Sequence, residues 1–364
     1  SACLVGSEMC IRDSWYIGPP DGPMPWVPGG SRPFDPDHAL RLAAELDRIG
    51  FHGALIGTGT EDTWVLAARV VAATRRLRFL IATYPMLISP ILAAKMAQSF
   101  EHAAPGRLAL NIVNGTSDVA LNLGSKLSHQ ARYALTDEWL PLFRQAVAGE
   151  PYSADGRHLS AQGRIPRLVG PDVPLPELWM AGSSPLALDI AARHIDRYLS
   201  WGEPPGPLGD KLAPLIANAA ALGRRPGLGV RLNVILRDSD EAAWDAADAL
   251  LRSVPREVLQ RNAAAKAASD SVGMGRMAAL YAGRGIDAAR ELEIEPGLWL
   301  GLGLLQFAGN SAAIVGGPET VRRVIDRYRA QGISTFILSG LPLLDEARRF
   351  GESVLPGLLS SERT

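Results

Sequence analysis

Cysteine is nearly missing from this chain of 364 residues, and both copies, Cys3 and Cys10, lie within the first fourteen positions. They supply no evidence for a disulfide framework or for thiol catalysis. Lysine is scarce as well, with only Lys95, Lys126, Lys211 and Lys266. None stands at a strand end, where a Schiff-base aldolase needs one; Lys126 follows the fourth strand but well past its tip. The histidines are His38, His52, His102, His129, His158 and His194. They form neither H-x-H nor H-E-x-x-H, so no metal site is expected. There is no G-x-S-x-G and no P-loop. No apolar run approaches the roughly 18 residues of a transmembrane helix. The net charge of -1 offers no basic excess for nucleic acid or a polybasic membrane contact. A cytoplasmic protein without nucleic-acid or membrane partners is the resulting expectation.

What is present is a composition able to bury a large core, 47% hydrophobic, at a length that admits one α/β barrel or two ordinary domains. The run Leu4–Ser14, LVGSEMCIRDS, reads like one frame of a transposase adapter used in sequencing libraries. It has no apolar core and no cleavage signal, so it is not a secretory signal. Residues 1–14 are therefore expected to be a non-native tail and 15–364 a single domain.

The chain is organised around Leu108–Asp118, LALNIVNGTSD, an apolar strand that stops in small polar residues. Strands are predicted at Trp15–Ile17, Ala54–Ile56, Arg78–Ala82, Leu108–Val113, Leu178–Met180, Tyr198–Ser200, Val230–Leu236 and Thr335–Leu338, with helices between them. Eight strands separated by helices predict a (β/α)₈ barrel, a TIM barrel. Its excess length falls in an insertion at about 241–310, between strands seven and eight, with no strand expected over Glu241–Leu300. A doubly wound sheet is the alternative, supported only by Gly57-x-Gly59, whose third fingerprint position is Asp62.

The side chains complete no catalytic machine of their own, which points to a cofactor. Gly182-Ser183-Ser184-Pro185 follows strand five and opens a helix, where backbone N–H groups and hydroxyls favour an anion; plain N-capping by Ser184 is the other reading. His129-x-x-Arg132-Tyr133 adds a phenol and two candidate cations at the start of the long helix that follows strand four.

These residues resemble the bacterial luciferase-like flavin monooxygenases, and within them the alkanesulfonate monooxygenases. The likeness runs from about Trp15 to the C-terminus. It is carried by Gly30-Ser31-Arg32-Pro33, Glu61-Asp62-x-Trp64, Asn111-Ile112-Val113-Asn114-Gly115, Arg132-Tyr133, Gly182-Ser183-Ser184 and Trp201-Gly202-Glu203-Pro204-Pro205. It continues in Arg231-Leu232, Asp270-Ser271-Val272-Gly273-x-x-Arg276-Met277, Leu298-Trp299 and Ser339-Gly340-x-Pro342. The resemblance implies reduced FMN supplied by a flavin reductase, molecular oxygen, a flavin 4a-(hydro)peroxide that oxygenates a small molecule, and a homodimer or homotetramer. It places the phosphate on Tyr133, Gly182, Ser183 and Ser184, and the flavin ring near Thr58 and Asn111. It also implies a non-proline cis peptide under the ring near Ala82 and Thr83.

Departures bear on the substrate. A histidine of the alkanesulfonate enzymes is Asn233 here, a cysteine is Thr60, an arginine is Gln306, a tyrosine is Leu341, and a histidine after strand one is replaced near Pro20. Arg231 and Trp201 remain, and Tyr84 is the nearest acid or base. A sulfonate would lose its main charge-assisted partner, worth roughly 1.5–3 kcal/mol. With Met86, Leu87, Leu341 and Pro20 nearby, a largely apolar substrate is expected instead. A deazaflavin-dependent oxidoreductase on the same barrel and a decayed flavin binder are the alternatives. The Gly273-x-Gly275 and Ala282–Gly285 stretches are read as hinges of a lid.

Overall fold

The computed structural model describes residues 12–19, 21–59, 61–305 and 311–360, with backbone only at 359 and 360. Cys3, Cys10, Pro20, Thr60 and Gln306 lie outside the described residues.

Eight apolar segments form the barrel strands: β1 (Arg12–Ile17), β2 (Gly53–Ile56), β3 (Arg78–Thr83), β4 (Leu108–Ile112), β5 (Glu177–Ala181), β6 (Arg197–Trp201), β7 (Gly227–Leu236) and β8 (Thr335–Ser339). Each pairs in parallel with the next, and β8 returns to both β1 and β7, so the sheet closes. Closure removes the edges and rules out the doubly wound sheet. Gly57, which favoured that alternative, has a packing role: a Cβ there would stand 2.1 Å from the Tyr16 ring.

Strand β1 starts before the expected Trp15, and Arg12, Asp13 and Ser14 pair with Thr335, Phe336 and Ile337. Trp15 is fully buried among Phe51 and Phe350, and its indole N–H donates to the Leu343 carbonyl at 3.1 Å. Strand alternation turns its neighbour Tyr16 to the other face.

Strand β7 is ten residues long because it serves three partners, beginning with β6 along Gly227–Arg231. Residues Gly229–Asn233 pair with β8, and Asn233–Leu236 pair with an added strand, Ala313–Gly316. The insertion that precedes this strand carries helices Asp240–Arg252, Arg256–Ala267 and Val272–Ala279. It also contains the short strands Glu293–Glu295 and Leu298–Trp299, contrary to the strand-free expectation. Segments of three and two residues are too short to show alternation, and only the Pro296-Gly297 turn marks them. The hairpin Pro151–Asp155/Ser160–Arg164 escaped prediction for the same kind of reason. Its turn is held from outside, by the Glu138 carboxylate accepting the N–H groups of Arg157, His158 and Leu159.

Candidate active site

A barrel opens its chemistry at the carboxyl ends of its strands. There, β4, β5, β6 and β7 and the loops that follow enclose a cleft of about 380 Å³. Of the residues predicted from sequence, Thr58, Tyr84, Asn111, Tyr133, Gly182, Ser183, Ser184, Trp201 and Arg231 all line it. They come from positions far apart in the chain and meet because the strands close into a ring. Trp201 and Arg231 are register partners across β6 and β7.

One end is built for an anion. Ser184 caps helix Pro185–His194 by accepting the Ala187 N–H at 3.3 Å. The Tyr133 phenol lies beside the Ser184 side chain, and the His129 ring packs on Tyr133 with centroids 4.8 Å apart. Burial holds the Tyr133 pKa above its ordinary value, so the phenol stays neutral and able to donate. Gly182 has φ +144°, and a Cβ there would come within 2.6 Å of the Ala187 Cβ and 3.1 Å of the Tyr133 hydroxyl. The Tyr198 hydroxyl fixes this turn by donating to the Gly182 carbonyl.

Arg132 is not one of the cations of this end. It is buried, and it donates to the Leu127 carbonyl at 2.8 Å and the Gly115 carbonyl at 3.3 Å. It staples the loop after β4 in place. Asn114 is held in the same loop, its amide oxygen accepting the Thr136 hydroxyl at 2.6 Å. Asn111, by contrast, lines the cleft with its side-chain oxygen buried and without a hydrogen-bond partner. An orphaned buried acceptor costs about 1–3 kcal/mol, which a ligand donor would recover.

At the other end Tyr84 lies beside Thr58, and burial raises its pKa. Tyr84 is therefore a neutral donor at ordinary pH rather than a base. Arg231 faces the cleft beside Trp201.

Three predicted residues stand behind this wall. Ala82 and Thr83 are buried in β3; the Ala82 carbonyl accepts the Thr63 hydroxyl at 2.9 Å, and the Thr83 hydroxyl turns back to the Ile81 carbonyl at 3.4 Å. The peptide bond between them is trans; among the described residues the cis bond is Leu341–Pro342. Asn233 is consumed structurally, accepting from the Ser339 hydroxyl at 2.8 Å and donating to the Ser311 carbonyl at 3.3 Å. Nor do Met86, Leu87 and Leu341 line the cleft; Leu87 is 48% exposed and Leu341 packs against the core. The apolar surface comes instead from Val113, Val119, Leu199 and Val272.

Besides Val119 and Leu199, the cleft lining not predicted from sequence includes part of the insertion. Asp270, Ser271, Val272 and Gly273 cover the anion end. Asp270 accepts the Ser117 hydroxyl across the opening, and that bond lowers the Asp270 pKa. Gly273 lies inside helix Val272–Ala279 rather than at a hinge; a Cβ there would come within 3.0 Å of Trp201 and 3.3 Å of the Ser183 hydroxyl. From the same helix, Arg276 donates to buried Glu203 at 2.7 Å, and Glu203 also pairs with Lys211 of helix Pro205–Ala221. Only the Asp-Ser-Val-Gly spacing to Arg276 signalled this contact in the sequence.

Among the described residues no three His, Cys, Asp or Glu side chains cluster as a metal site, and no helix is long and apolar enough to cross a membrane. A model of the family described as luciferase-like monooxygenase matches residues 19–335. The chain belongs to the luciferase-like monooxygenase family. Solved structures agree on the fold. Riboflavin lyase RcaE, determined with modified FMN and riboflavin, is 17% identical with a TM-score of 0.77, over 97% of this chain and 92% of that one. The long-chain alkane monooxygenase LadA is 17% identical, TM-score 0.73, over 97% and 92%. The coenzyme F420-dependent tetrahydromethanopterin reductase of Methanopyrus kandleri is 15% identical, TM-score 0.66, over 96% and 99%.

In this luciferase-like chain the insertion is tied down at its Arg276–Glu203 contact. Arg276→Leu should speed tryptic cleavage within the insertion while lowering global stability by only about 1 kcal/mol, because Lys211 still neutralises Glu203. Limited proteolysis followed by mass spectrometry checks it: cleavage at the wild-type rate would show that the contact does not hold the cover shut.

Proposed function

We propose that the chain is an FMN-dependent, two-component monooxygenase acting on a small, largely apolar organic molecule. The carrying observation is the cleft itself: a turn of Gly182, Ser183 and Ser184 with no room for a Cβ, continuous with the unpartnered oxygen of Asn111. That pairing fits a phosphate at one end and a hydrogen-bonding ring further in. Ser183, Ser184 and Tyr133 would hold the phosphate, with the dipole of helix Pro185–His194 behind them. Asn111 would accept an N–H of the ring, and Thr58 and Tyr84 would bound its other side. Reduced FMN, when bound, supplies the electrons that activate molecular oxygen. The chain's own residues supply position and dryness: Val113, Val119 and Leu199 offer the apolar wall, and Asp270–Gly273 exclude water from above.

The motifs resemble those of the alkanesulfonate group, yet Asn233 is engaged by Ser339 and Leu341 packs against the core, which speaks against a sulfonate substrate. Acceptance of a long-chain alkane by LadA is in keeping with an apolar substrate. The partner is then a separate flavin reductase, and the assembly a homodimer or homotetramer. A second reading, hydride transfer to or from a deazaflavin, is favoured by the likeness to the F420-dependent reductase.

Stopped-flow absorbance tests the proposal. Protein loaded anaerobically with reduced FMN and mixed with oxygenated buffer should show a near-ultraviolet absorbance that outlasts the reoxidation of free FMN. Reoxidation at the free rate, together with tighter binding of a deazaflavin, would replace the first reading with the second.

A further inference from the structure

Arg231 is a cation of the cleft wall that the protein does not neutralise. Among the described residues no carboxylate and no hydrogen-bond acceptor reaches its side chain. What reaches it is the face of the Tyr16 ring, with the guanidinium carbon 4.7 Å from the centroid. Tyr16 is buried at 8% exposure and is not part of the cleft lining, so it touches Arg231 from behind. The ring is itself held in place. Its hydroxyl donates to the Pro19 carbonyl at 3.0 Å, and Gly57 gives it room, since a Cβ at 57 would overlap it.

A carboxylate in this position would orient the guanidinium but would also cancel its charge and occupy its N–H donors. An aromatic face orients it and leaves the donors free. We propose that Tyr16 is the positioning residue for Arg231, keeping an uncompensated guanidinium at the cleft wall for an electron-rich oxygen of the bound molecule. This deepens the monooxygenase reading and rests on it for the identity of that molecule; the contact itself does not.

The test uses the flavin-free full chain and the side-chain Nε–Hε signal of Arg231 in a ¹⁵N–¹H spectrum, assigned by its disappearance in Arg231→Met. A proton above an aromatic face is shifted upfield. The signal should stay upfield in wild type and in Tyr16→Phe, which keeps the ring. In Tyr16→Leu it should move to the position of a free arginine. An unchanged Arg231 signal in Tyr16→Leu would overturn the proposal. Oxidised FMN, titrated by fluorescence quenching, should bind Tyr16→Phe as it binds wild type, and should bind Tyr16→Leu no more weakly than Arg231→Met, because the anion end is built by other residues; weaker binding by Tyr16→Leu than by Arg231→Met would show that Tyr16 shapes the whole site and overturn the positioning role. A failed stopped-flow experiment with wild type would remove the monooxygenase reading without touching the spectrum.

Discussion

Between pH 7 and pH 4 the protein should lose on the order of 3 kcal/mol of folding stability through one residue, His52. Arg12, Arg78, Glu177 and Arg197 are the first residues of β1, β3, β5 and β6, so they gather at the floor of the barrel, opposite the cleft. His52 precedes β2 at this floor. Burial, aided by the guanidinium groups of Arg78 and Arg12, pulls its pKa down to about 4 from 6.5. Between those two values the unfolded chain takes up a proton that the folded protein refuses. The stabilisation is therefore complete above pH 6.5 and is lost as the pH falls to 4; at 1.36 kcal/mol per pKa unit the gap is worth about 3 kcal/mol. A second loss follows below it. Burial tends to raise the Glu177 pKa, but Arg12 and Arg197 outweigh it and bring it to about 2 from 4.5. This contribution, also about 3 kcal/mol, is present above pH 4.5 and disappears as the pH falls through 2. Urea midpoints measured from pH 8 to pH 2 check both windows. His52→Gln should flatten the upper one; Glu177→Gln should flatten the lower one and deepen the upper, because the Glu177 charge holds the His52 pKa up. A wild-type stability that does not change between pH 6.5 and 4 would contradict the assignment to His52.

Replacing Gly182 by valine should weaken the binding of oxidised FMN by on the order of a hundredfold. Two effects act together. The backbone sits at φ +144°, which a β-branched residue resists. The new side chain would also enter the space between Ala187 and the Tyr133 hydroxyl, where the phosphate is placed in the proposed function. Loss of one or two charge-assisted hydrogen bonds, at roughly 1.5–3 kcal/mol each, yields that factor. Tyr133→Phe removes one donor and should cost about tenfold. Fluorescence titration gives the dissociation constants, and circular dichroism shows whether the fold survives. Wild-type affinity in a folded Gly182→Val protein would move the phosphate to another part of the cleft.

The barrel was legible in the amino-acid order because its evidence is local. Each strand is a short apolar run bounded by turn residues, and hydrophobic burial forces such runs together whatever their partners. The Ser184 cap and the small residues at Gly182–Ser184 were legible for the same reason. Fates set by distant neighbours were not. Arg132 and Tyr133 are adjacent on one helix, yet one is drawn inward to the Gly115 carbonyl and the other meets Ser184 at the cleft. Asn233 is the register neighbour of Ser339 only because β7 and β8 pair, and that pairing uses up its amide. Gly273 resembles a hinge by composition and is a close-packing site against Trp201 by position. The Tyr16–Arg231 contact joins residues more than two hundred positions apart, which no periodicity encodes. The order of residues by itself determined the eightfold alternation of strand and helix and the family motifs. The tertiary structure alone decided which polar groups remain unpartnered and so available to a ligand, because hydrogen bonds and desolvation depend on distances that closing the barrel sets.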